Sequence, residues 1–427
     1  MLKINISRFL QNKLIIVLPL FVIVAPAIPV IGNLLNQVYY LLILSLVILE
    51  LITNPIKHKK IMFFVFFIVF LFLYALMTYP FLGNDMMLTV LKWILSGTAL
   101  TLGMGVMIDS GNIQKFMTVF SFTCFVTLIV SLVEIGTGWH VVNTIFAEME
   151  NNISENYATG FFGNINDLAN YLIICLSFCT FYLITEKKKL IKVISIIIMI
   201  FIIINSESYL AYLSLICLFT ITVVMKIIYN KKFNMEIRIK PKAFLQLIMS
   251  SLVLMSFIIL FKDHLDDNFM AVVKEINTRL VQLFSSSEND LYVKGRTIIL
   301  ERSFNDFINS NILFGSGIGY AVSTYGMPLH NLFGTFLFEF GLIIFISFIY
   351  LLVSMALKLI RIIRYSDTTN KWFNKNFAIV VFSQLAILPI TSTIPSEALQ
   401  RKMIWFIFGF VLICIKNISS SKSLDKD

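Results

Sequence analysis

The sequence predicts an all-α polytopic membrane protein, and three observations carry that prediction. Of its 427 residues, 58% are hydrophobic and only 14% are charged. The apolar residues recur in runs of about 18 to 22, the length of helix that crosses ~30 Å of hydrocarbon. About three quarters of the Lys and Arg residues fall in alternate connections, the asymmetry expected between the two sides of a membrane. The whole chain, 1–427, reads as a single membrane domain with external loops at 136–167 and 262–330.

Taken in order, the first apolar run, Leu14 to Ile31, follows a basic start at Lys3, Arg8 and Lys13. It invites comparison with a cleaved signal peptide, but the chain runs straight on into another span. Its prolines Pro19, Pro26 and Pro29 suit a kinked membrane helix. About twelve spans are expected in all, at 14–31, 38–54, 61–82, 88–108, 115–135, 168–185, 190–204, 208–229, 243–261, 331–357, 377–394 and 402–416. With this count the basic connections, among them Lys57 to Lys60, Lys187 to Lys192 and Lys358 to Lys375, share one side with both termini. Both termini are therefore expected in the cytoplasm, with the positive charge against an anionic inner leaflet. The net charge of +10 is spread over these loops, so a nucleic-acid partner is not expected. Cys124, Cys175, Cys179, Cys217 and Cys414 all sit in apolar runs, where a free thiol behaves as a small hydrophobe.

Two external connections are long enough to carry function. The loop 136–167 holds Glu148, Glu150, Glu155 and Asp167 and no Lys or Arg. The loop 262–330 contains an amphipathic pattern in which Phe269, Val272, Val273, Ile276, Leu280 and Leu283 share a helical face, as expected of a helix at the membrane interface. A second helix is expected from Thr297 to Ile308, with Leu300, Phe304 and Phe307 as its apolar stripe.

Ionisable residues inside spans cost at least ~2.5 kcal/mol and usually face an internal cavity. Glu50 and Glu134 lie near span ends and can snorkel, Lys92 beside Trp93 suits an interfacial anchor, and Glu397 and Arg401 are spaced to pair on one helix face. Glu339, eight residues into its span, lies too deep for a short side chain to reach water, roughly 12 Å along the helix from Asn331.

The segment Leu291–Leu342 gathers the chemistry. Lys294, Arg296 and Arg302 place three cations just before the chain re-enters the membrane, and guanidinium groups bind phosphates through paired, charge-assisted hydrogen bonds. The turn FGSGIG, Phe314 to Gly319 with Gly317 at its centre, has the glycine spacing of a tight turn or a backbone anion nest. No strand and helix flank it, and no Lys-Ser/Thr follows, so it is not a nucleotide loop. His330 is suited to accept a proton or contact a phosphate, and Asn331 to the same contact or to capping a helix. In the stretch GFFGNINDLANYL, Asn166 or Asp167 stands before an apolar helix, where capping is the simplest role. The four histidines are scattered, so neither a metal site nor another cofactor is expected.

The order Gly295-Arg296, Phe314-Gly315-x-Gly317-x-Gly319, His330-Asn331 and Glu339-x-Gly341 resembles the O-antigen polymerase and ligase superfamily, the Wzy/WaaL-like membrane glycosyltransferases. Gly160, Asn164, Asn166 and Ala169 are similar to that family's motif at the start of a middle span. The chain differs where the family often has Ser-Arg, at Ser206-Glu207-Ser208, and carries Leu300 and Ile312 where a tryptophan and a proline are usual.

The resemblance implies a C-type membrane glycosyltransferase architecture in a bacterial cytoplasmic membrane. It implies polymerisation of polyprenyl-pyrophosphate-linked oligosaccharide repeats at the outer face. His330 and Glu339 would be catalytic, and Arg296, Lys294, Arg302, Asn331, Gly317, Asn164 and Asn166 would bind pyrophosphate or sugar. The expected partners are that lipid-linked substrate, membrane lipid and a chain-length regulator protein. A ligase of the same superfamily and a flippase or other transporter are the alternatives; the absence of similar halves and the single large external loop weigh against a transporter.

Overall fold

The computed structural model describes residues 14, 19–20, 29–140, 158–162, 164–185, 189–206, 208–229, 291–309, 311–329, 331–365, 373–393, 399 and 402–418. Among these residues the chain is helical and forms no strand, all-α as predicted. The elements in order are α1 (Pro29–Thr53), a 3-10 turn (Ile56–Ile61), α2 (Met62–Leu82), α3 (Met87–Met107), α4 (Ile113–Thr137), α5 (Ile165–Thr185), α6 (Lys189–Asn205) and α7 (Tyr209–Tyr229). There follow α8 (Leu291–Asn309), α9 (Tyr320–Tyr325), α10 (Leu332–Gly334), a π turn (Thr335–Glu339), α11 (Gly341–Tyr365), α12 (Lys375–Ala386), α13 (Leu388–Thr391) and α14 (Lys402–Ile418).

Five described stretches are long and apolar enough to cross a membrane: Ile56–Leu82, Met87–Met107, Ile113–Thr137, Leu210–Tyr229 and Gly341–Tyr365. Gln37–Thr53, Ile165–Phe178 and Val193–Asn205 are shorter apolar helices. This is the build of a multi-pass membrane protein. The span expected at 243–261, the amphipathic helix at 269–283 and the Glu397/Arg401 pair lie outside the described residues. Lys226–Gly295 form one compact unit, and Met1–Met225 with Arg296–Asp427 form the other. The division of the single domain falls within α8, between Gly295 and Arg296.

Three predicted boundaries shift. The break expected between residues 31 and 38 is helical, because α1 runs unbroken from Pro29 through Gly32, Asn33 and Asn36. A continuous helix satisfies its own backbone, which outweighs a weak local propensity in apolar surroundings. The span expected at 377–394 stops at Ala386 and restarts as α13, with Pro389 in the first turn where its missing N–H costs nothing. The span expected at 331–357 is also interrupted, and the long helix begins only at Gly341.

Close approach of small residues holds the bundle together, as is usual where lipid offers no hydrophobic drive between helices. A Cβ on Gly97 of α3 would lie 2.1 Å from the Trp405 ring of α14, and one on Gly409 of α14 would lie 2.5 Å from Met104 Sδ. Thr101 Oγ1 donates to Trp405 O at 2.9 Å across the same seam. Phe178 and Phe410 meet with ring centroids 4.0 Å apart, and Phe120 packs edge-on to both. Cys124, Cys175 and Cys414 are buried free thiols.

Candidate functional site

The site is built on the interrupted helix. Asn331 has extended backbone, with φ −150°, and its Oδ1 accepts from Phe333 N at 2.9 Å and Gly334 N at 3.0 Å, capping α10. The helix then widens into the π turn, and Gly341 interrupts it at φ +80°, a conformation costly to any residue with a Cβ. The interruption leaves backbone groups outside a continuous ladder, and a second segment pairs with them. Ser316 N donates to Phe338 O at 2.8 Å, Gly317 N to Glu339 O at 3.1 Å, and Leu342 N to Ile312 O at 3.0 Å. Tyr74 Oη on α2 lies 2.6 Å from both Phe314 O and Phe340 O, joining the two segments.

This turn is the FGSGIG motif, and its glycines are there for backbone contact. A Cβ on Gly315 would lie 2.6 Å from Gly341 N, and one on Gly317 would lie 2.6 Å from Leu82 O. Asn84 Nδ2 donates to Ile318 O at 2.9 Å, so the turn is also held by the connection after α2. The N–H groups that follow do receive an acceptor, and the acceptor is the Glu339 carboxyl group. Its Oε2 accepts from Gly319 N at 2.8 Å and its Oε1 from Ala321 N at 3.1 Å, with the residue only 5% exposed. The two hydrogen bonds offset part of the cost of burying this polar group. Glu339 therefore anchors the start of α9, and Gly317 serves chain packing.

Around this anchor the motif segments share one small apolar core of Ile299, Phe307, Ala321, Leu329 and Phe338. Ile299 stands three residues after Arg296, Leu329 immediately before His330, and Phe338 immediately before Glu339. In the register of α8, Arg296 occupies the same face as Ile299, Ser303 and Phe307. Ser303 is 3% exposed, and its Oγ has no hydrogen-bond partner among the described residues. Arg302 is exposed. Lys294 lies on α8, and His330 is outside the described residues. Asp306 accepts a hydrogen bond from Tyr325 Oη, tying α9 to α8.

A second buried carboxylate organises the other motif. Glu134, expected to snorkel, is fully buried at the end of α4. Its Oε2 accepts from Thr159 N at 2.8 Å and Gly160 N at 2.6 Å. His140 Nδ1 lies 3.9 Å from Glu134 Oε1 and 3.5 Å from Thr159 Oγ1. Asn164 Oδ1 accepts from Asn166 N at 2.8 Å, so the start of α5 lies at Asn164 and not at Asn166 or Asp167 as expected; Asn166 is partly exposed. The burial of Glu134 does have a sequence signal: Thr123, Thr127, Ser131 and Glu134 recur on one helical face, and all four are fully buried. Glu50, by contrast, pairs with Lys57 Nζ at 3.3 Å and His58 Nε2 at 3.4 Å, and Lys92 is exposed.

No protein-family model matches the chain, and no curated protein matches it.

Proposed function

We propose that the chain is an integral membrane glycosyltransferase of about twelve spans that polymerises polyprenyl-pyrophosphate-linked oligosaccharide repeats at the outer face of a bacterial cytoplasmic membrane, with both termini in the cytoplasm. One observation carries this reading: the segments bearing Arg296, the glycine turn, His330 and Glu339 are separate in sequence but share the core around Ile299, Leu329 and Phe338. A helix that merely covered the bundle would not require α8, the start of α9 and the segment around Glu339 to share one core.

In the reaction, a hydroxyl oxygen of one repeat attacks the anomeric carbon of the growing chain's reducing sugar with inversion. The bond from that carbon to the pyrophosphate oxygen breaks, its electron pair leaves with the lipid pyrophosphate, and the hydroxyl proton passes to a base. Arg296 stabilises the leaving pyrophosphate, assisted by Lys294 from the same helix. His330 is the base or a second pyrophosphate contact. Glu339 acts as a positioning residue, because both of its oxygens already accept backbone N–H bonds. Asn331 and Asn164 likewise set the starts of α10 and α5.

Analysis of surface polysaccharide in a deletion strain tests the proposal. Loss of long polymer with accumulation of single lipid-linked repeats supports it. Wild-type polymer refutes it, finished lipid-linked polymer awaiting transfer marks a ligase, and repeats trapped inside mark a transporter.

A further inference from the structure

Resting on the polymerase reading, we infer that Tyr320 and Tyr325 of α9, with Asp306 and Arg302 of α8, form a saccharide-binding subsite beside the reacting centre. α9 is held at its start by Glu339 and along its length by Ala321, so the two tyrosines have fixed positions relative to the motif core. Their rings meet edge to face, with centroids 6.1 Å apart and planes at 89°, and both are partly exposed. This geometry offers one ring face to the C–H face of a sugar while the other ring supports it.

The exposed Arg302 and the partly exposed Asp306 stand four apart on one face of α8. Burial, then the hydrogen bond to Asp306, pushes the Tyr325 phenol above its ordinary range, so Tyr325 remains a donor to Asp306 Oδ2. Asp306 Oδ1 is then placed to accept from one sugar hydroxyl while the Arg302 fork donates to its neighbour. A planar acceptor and a planar donor beside an aromatic face suit a ring with vicinal hydroxyls, whereas a pyrophosphate would be repelled by Asp306. Arg302 is thereby reassigned from pyrophosphate to sugar.

The test uses the full-length protein in detergent. The probe is the repeat oligosaccharide released by mild acid from the lipid carrier of the deletion strain, and binding is read by saturation-transfer NMR. Tyr320→Ala and Arg302→Ala should each weaken binding about tenfold, the equivalent of one lost stacking or paired hydrogen-bond contact, and shorten the polymer made in cells. Arg302 is exposed, so its variant should keep the wild-type unfolding midpoint, separating lost binding from lost folding. Wild-type binding by both variants, or no binding by the wild type, overturns the subsite even where deletion abolishes polymer. Polymer persisting in the deletion strain overturns the polymerase reading, and the subsite with it.

Discussion

Gly315 and Gly341 meet backbone to backbone: a Cβ on Gly341 would lie 2.5 Å from Gly315 N, and one on Gly315 would lie 2.6 Å from Gly341 N. The glycine turn and the interrupted helix are thus one interlocked element. Gly341→Ala should destabilise the protein by roughly 2–5 kcal/mol, from the left-handed conformation at φ +80° together with the overlap. Gly326→Ala is the control. Gly326 has φ +71° but open space around its Cβ position, so it should cost only about 1–2 kcal/mol. Thermal unfolding followed by tryptophan fluorescence compares them, and equal losses would contradict the interlock.

Glu339→Gln replaces one of two acceptor oxygens with a donor that must face a backbone N–H. The start of α9 should loosen by about 1.5–3 kcal/mol, read as faster hydrogen exchange at Gly319 and Ala321 than in the wild type. If the carboxylate only supplies chemistry, activity will fall while exchange at those amides stays unchanged.

Glu134→Gln should act in the same way at the other motif, raising exchange at Thr159 and Gly160 while leaving Gly319 protected. Coupled loss of protection at both turns would show that the two carboxylates do not act locally.

Side-specific labelling of single cysteines in a cysteine-free background tests the orientation. Ser323→Cys should react with an impermeant reagent from outside the cell and Arg364→Cys only after permeabilisation, and the reverse would refute the proposed topology.

Much of the helical framework was legible because hydropathy reports it directly: α2, α3, α4 and α7 lie within two residues of the predicted spans. The interruption at Glu339–Gly341 was not, since FLFEFGLIIFISF is a nearly continuous apolar run. Its π turn and left-handed glycine are stable only because the distant 312–317 segment pairs with the freed backbone groups. The site divides similarly. Glu339 was conspicuous by its depth, but its partners at Gly319 and Ala321 are a tertiary fact. Glu134 was misjudged from its place near a helix end, because the fold of 158–160 over that end buries it. Tyr325 and Asp306 gave no signal, since a tyrosine and an aspartate on separate short helices become a pair only once Glu339 has fixed α9.

The most direct test of the central claim uses the purified protein in detergent with lipid-linked repeats. The expected result is a ladder of elongated saccharide with release of polyprenyl pyrophosphate, both abolished by Arg296→Ala and His330→Ala in variants that remain folded. Single repeats left unchanged by the wild type, or a full ladder from both variants, would contradict it.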